Sequence, residues 1–113
     1  MLRQVQNERR EVQEVIQRGN SASLNMTVPA YVSLSLGSAY FRAGQMADAE
    51  REYKAAISSD SHSGEAHQNL AVVYMETGRI ADAEREMAAA KKTGFRVNPQ
   101  LEDDIKARKK GTF

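Results

Sequence analysis

His62, Glu65 and His67 come closest to a metal-ligand set in this chain. Two imidazoles and a carboxylate suit a divalent cation. Their spacing, however, is not that of the helical His-Glu-x-x-His pair, which sets both imidazoles on one face. One histidine in a loop and one at the edge of a core account for them without a ligand. Glu102, Asp103 and Asp104 form an acidic cluster that would suit a cation or paired-carboxylate acid–base chemistry. Consecutive helical residues diverge by about 100°, so the three do not converge on one substrate. Near the start of a helix they complement its positive end instead. Lys91, Lys92, Arg96, Lys106, Arg108, Lys109 and Lys110 gather basic charge toward the C-terminal end, yet the whole chain balances 16 basic against 15 acidic residues. That balance favours a solvated face, and nucleic-acid binding is not expected. No nucleophile elbow, phosphate loop or dinucleotide fingerprint occurs. The serines lack a paired histidine and acid. No catalytic residue, cofactor or metal is therefore assigned.

The bulk properties narrow the classes further. A chain of 113 residues suits one compact core. It contains no cysteine, which excludes disulfides and cysteine-based zinc sites but identifies no compartment. No apolar run approaches the roughly 18 residues of a membrane span. The first 20 residues are charged and lack the apolar centre of a signal peptide. The chain is expected to be soluble and compatible with the cytoplasm, with its compartment left open.

The elements that would position any site are helices. Helix formers dominate, and glycine marks most of the breaks. Leu2–Arg18 carries a narrow apolar stripe of Leu2, Val5, Val12, Val15 and Ile16, interrupted by Arg9. A Ser/Asn-rich linker follows. Helices are then expected over Pro29–Ala43, Met46–Ser58, Ser63–Thr77 and Ile80–Lys92, with a last one opened by Asn98 and Pro99. Pro29 and Pro99 both fall where a first helical turn tolerates proline, and Asn98 suits an N-cap.

A shift of 34 residues superposes the chain on itself. Leu36 falls on Leu70, Tyr40 on Tyr74 and Gly44 on Gly78. Ala47 through Glu52 fall on the identical run Ala81 through Glu86, and Ala55 and Ala56 fall on Ala89 and Ala90. Each copy reads helix, glycine turn, helix. The period and the pattern resemble the tetratricopeptide repeat, W-x2-L-G-x2-Y, then A-x3-F, then P. The first copy offers Ser33-x2-Leu36-Gly37-x2-Tyr40 and Ala49-x3-Tyr53; the second offers His67-x2-Leu70-Ala71-x2-Tyr74 and Ala83-x3-Met87. Ser33 and His67 stand at the tryptophan position, and Ser61 and Phe95 replace the closing proline. The resemblance covers residues 30–97. Close packing would explain Gly37 inside a helix, and Ala71 at the matching place suggests that a methyl also fits.

The expected fold class is all-α: tandem antiparallel helix pairs in a superhelix, with an extra N-terminal helix and a C-terminal capping helix. The division is 1–19 for an amphipathic helix, 20–29 for a linker, 30–63 and 64–97 for two repeats, and 98–110 for the cap. The resemblance implies a non-catalytic protein-interaction module whose first helices line a concave groove for a peptide or protein segment. Carried over by position, the groove residues are Tyr31, Leu34, Ser35, Ser38 and Phe41 or Arg42, with Glu65, Gln68, Asn69, Val72 and Met75 or Glu76. Asn69 matches a family asparagine that can hold a ligand's backbone amide. Some family members clamp the C-terminal carboxylates of heat-shock chaperones with Lys, Asn and Arg. The matching places here hold Leu34 and Ser38, so that activity is not expected. The alternatives are a homo-oligomer formed through residues 2–18, or a docking domain of a larger protein.

Overall fold

The computed structural model describes residues 28–111. Five helices follow one another: α1 (Ala30–Arg42), α2 (Met46–Ser59), α3 (Gly64–Glu76), α4 (Ile80–Lys92) and α5 (Pro99–Lys109). No strand occurs among the described residues. α1 packs along α2 and α3 along α4 as antiparallel pairs, α3 seats the second pair on α2, and α5 lies against α4. The amphipathic stripe expected at Leu2–Arg18 lies outside the described residues.

The same turn joins both pairs, and the backbone bonds show why glycine recurs there. Gly44 has φ +79° and Gly78 φ +80°, a left-handed conformation that costs a residue with a Cβ. In the first turn Gly44 N–H donates to the Phe41 carbonyl at 3.0 Å and Gln45 N–H to that of Tyr40 at 2.9 Å. In the second, Gly78 N–H donates to Met75 at 3.1 Å and Arg79 N–H to Tyr74 at 2.8 Å. This nested pair of bonds satisfies carbonyls in the last turn of each helix. Gln45 and Arg79 then accept from Ala49 and Ala83 and so begin the next helix.

The helix starts use different devices. Ser63 Oγ accepts from Ala66 N–H at 3.2 Å, and Asn98 Oδ1 from Gln100 N–H at 2.9 Å, as N-caps do. Pro99 takes the first-turn place predicted for it. Pro29 does not. It is the residue just outside α1, with an extended ψ of 141°. Before it, the Val28 carbonyl accepts from Ser59 Oγ at 2.9 Å.

The core runs between the pairs. Leu36, Tyr40, Ala49 and Tyr53 are buried from the first, and Leu70, Ala71, Val73, Tyr74, Ala83 and Ala90 from the second. Ala49, Ala56, Ala83 and Ala90 are fully inaccessible, as small residues must be where two helix backbones approach closely. Val97, Leu101 and Ile105 bring the C-terminal segment onto the same cluster. Ion pairs fix it there, with Lys91 to Glu102 at 2.9 Å and Lys109 to Glu84 at 3.1 Å.

Gly37 corrects one expectation. A Cβ built there would lie 2.6 Å from a Tyr53 ring carbon, well inside contact distance, so a methyl does not fit in the first pair. Ala71 is accommodated at the matching place because residue 87, opposite it by repeat position, is a flexible methionine rather than a rigid ring. Gly37→Ala is expected to lower stability by about 1–3 kcal/mol, the usual cost of overpacking. Adding Tyr53→Met, which copies the Ala71/Met87 combination, should recover most of that loss; urea midpoints followed by circular dichroism would measure both. Ile105→Ala, at a fully buried site on α5, should cost about 2–5 kcal/mol by the same measurement.

Candidate functional site

α1 and α3 are the first helices of the two pairs, and between them opens a cavity of about 210 Å³ lined by Phe41, Tyr53, Asn69 and Val72. Each wall has a local cause. Phe41 lies in the last turn of α1, just before the Gly44 bend, and is half-buried. Asn69 and Val72 lie one turn apart on α3 and so share a face. Tyr53 comes from α2, reaching past Gly37 because that residue has no side chain to stop it. Its hydroxyl meets Ser38 Oγ at 3.0 Å. Burial pushes the Tyr53 phenol above its ordinary pKa of 10.0, against the opposing pull of Ser38 and Arg42.

The residues carried over from the repeat pattern divide into groups. Asn69 and Val72 line the cavity, together with Phe41, the alternative to Arg42. Ser38 holds the phenol that floors it. Leu34 is half-buried, and Ser35, Arg42 and Glu65 are exposed. Tyr31 stands 71% exposed, unusual for a large aromatic side chain. Gln68 and Glu76 are engaged with the C-terminal segment. Gln68 Oε1 accepts from Asn98 N–H at 2.7 Å, and Glu76 lies 3.9 Å from Arg108, whose guanidinium also donates to the Met75 carbonyl at 3.0 Å. Met75 itself is buried, so Glu76 is the surface residue of that pair.

Tyr53 is the cavity residue that position-by-position transfer missed. Transfer assigned groove positions only to first helices, and Tyr53 sits on a second helix. The signal was present in Gly37, whose missing side chain leaves room for a ring.

The chemically suggestive clusters resolve into structural pairs. His67 is buried at the core edge, with Nδ1 2.8 Å from Glu86 Oε1 and Nε2 donating to the Ser61 carbonyl at 3.0 Å. Both ring nitrogens are thus occupied, and His62 and Glu65 are exposed in the loop and at the start of α3. Glu102 pairs with Lys91, and Asp104 accepts from Gln100 Nε2 at 2.8 Å. Of the C-terminal cations, Lys91 and Lys109 are held by carboxylates of neighbouring helices. Among the described residues no group of three or more acidic, histidine or cysteine side chains is placed to hold a metal ion, and no helix is long and apolar enough to cross a membrane.

The buried phenol generates a pH test. The stability held by neutral Tyr53 is complete below about pH 10 and is lost as pH rises through the elevated folded-state pKa. Tyr53→Phe removes that component. The urea midpoint of the native chain should therefore fall more steeply than that of Tyr53→Phe between about pH 9 and pH 11.5.

Comparison with known families agrees with this architecture. A family model described as tetratricopeptide repeat matches residues 40–101, more than half of the chain. Searches of curated proteins and of solved structures returned no match.

Proposed function

Because the chain belongs to the tetratricopeptide repeat family, we propose that it is a non-catalytic module that holds a segment of another protein in the groove between α1 and α3. In this reading residues 30–63 and 64–97 are the two repeats, and 98–110 closes the stack. Tetratricopeptide repeats as a class are protein-interaction scaffolds, which supports a protein partner.

The observation that carries the groove reading is the cavity walled by Phe41, Asn69 and Val72, on the first helices of both pairs. Asn69 makes no side-chain hydrogen bond to any described residue. Its amide has both a donor and an acceptor to offer, the complement of an extended peptide's own N–H and C=O. Tyr31 and Leu34 add apolar surface along α1. The groove is short, so the interaction free energy left after ordering a peptide is modest, and affinities in the micromolar range or weaker follow.

The test is capture of partner proteins by the immobilised full chain. Tyr31→Ala together with Asn69→Ala should lose the partner while leaving helicity unchanged, since neither side chain belongs to the buried core. Asn69→Ala alone should weaken binding by about three- to tenfold, the worth of one net hydrogen bond. Retention of every partner by the double variant would overturn the groove reading.

A further inference from the structure

The lining of the cavity specifies what can enter it. Phe41, Tyr53 and Val72 present carbon, Asn69 presents a neutral amide, and among the described residues no charged side chain lines the space. The space is open to solvent on one side, so a carboxylate or ammonium there keeps part of its hydration but gains no counter-charge from the described lining. An apolar side chain, by contrast, gains contact with three carbon surfaces. The volume of about 210 Å³ exceeds the roughly 150 Å³ of an apolar cavity that accepts benzene, so a branched aliphatic or aromatic side chain fits.

Charge returns at the two ends. Arg42 is the last residue of α1 and Glu65 lies in the first turn of α3. Both are exposed, and neither pairs with a described residue. Arg42 directly follows the lining residue Phe41, and Glu65 lies one helical turn before the lining residue Asn69, so each borders the cavity. α1 and α3 run in the same direction, as first helices of successive pairs. The end of one and the start of the other are therefore opposite ends of the groove.

We propose that the ligand is a protein segment that inserts one uncharged apolar side chain, the size of leucine or phenylalanine, between Phe41 and Val72, and carries an acidic residue on the Arg42 side and a basic residue on the Glu65 side. This assignment rests on the groove reading above. It excludes segments of a single charge sign, because such a segment would satisfy one end and oppose the other.

The test is an NMR titration of the ¹⁵N-labelled full chain with end-capped Gly/Ser peptides that carry Asp and Lys, in either order, around a central Phe, Asp or Lys. The Phe peptide in one of the two orders should shift the Asn69 and Val72 amides at a concentration at least about tenfold lower than the peptides with a charged centre. Val72→Glu should abolish that preference. Equal or tighter binding of the charged-centre peptides would overturn this inference and leave the groove reading standing. Failure of every peptide to shift those amides would overturn both. Sedimentation of the same samples supplies the last outcome: self-association released by Val72→Glu would assign the cavity to a second copy of the chain and overturn a foreign segment.

Discussion

The Tyr53 ring lies where the side chain of residue 37 would otherwise be. That single close approach sets how α1 and α2 pack, and the rest of the first pair is arranged around it. A glycine inside a helix costs about 1 kcal/mol relative to alanine, and the ring it admits recovers this through burial of a large aromatic surface. The same ring carries its hydroxyl through to Ser38 and forms the floor of the cavity. Packing and candidate binding surface are thus two faces of one contact.

The two pairs share their turns but fill their interiors differently. Gly37 and Tyr53 in the first are Ala71 and Met87 in the second. The family's tryptophan position shows a second exchange. In the second pair it holds His67, which braces the inter-pair loop through Ser61 and α4 through Glu86. A polar brace of this kind is directional, so it fixes the loop where an indole would only fill space. Phe95, at the second closing-proline position, lies over Gly64 so closely that a Cβ there would strike its side chain. Departures from the family pattern are therefore matched by local replacements.

The pairs are joined by a charged cluster as well as by carbon. Arg79 bonds Glu50 at 2.8 Å and Asp82 at 3.2 Å while its guanidinium sits 4.2 Å from the Tyr74 ring centre. Lys54 also bonds Glu50 at 2.8 Å. Burial alone would raise the Glu50 pKa, but Lys54 and Arg79 outweigh it and hold the carboxyl below its ordinary value. At the C-terminal end the pattern stops. Shifted by the repeat period, Leu70 and Tyr74 become Asp104 and Arg108. α5 thus keeps the apolar face that meets α4, in Leu101 and Ile105, and turns polar where a following helix would pack.

Helix positions, the glycine turns, the all-α class and the family were legible in the sequence, because each depends on local chemistry repeated at a fixed spacing. A left-handed turn needs glycine, Asn98 before Pro99 suits an N-cap, and a 34-residue register needs no tertiary information to be seen. The start of α1 was displaced by one residue because Pro29 adopts an extended backbone, a choice its sequence neighbours do not dictate. What only the tertiary structure decided is which surface residues remain available. Gln68 and Glu76 share the helical face pattern of Asn69 and Val72, yet contacts from more than 25 residues away engage them. Tyr53 crossed from the second helix into the cavity for the same reason. Periodicity fixes the direction in which a side chain leaves its own helix, whereas burial and hydrogen bonding depend on what another helix places there.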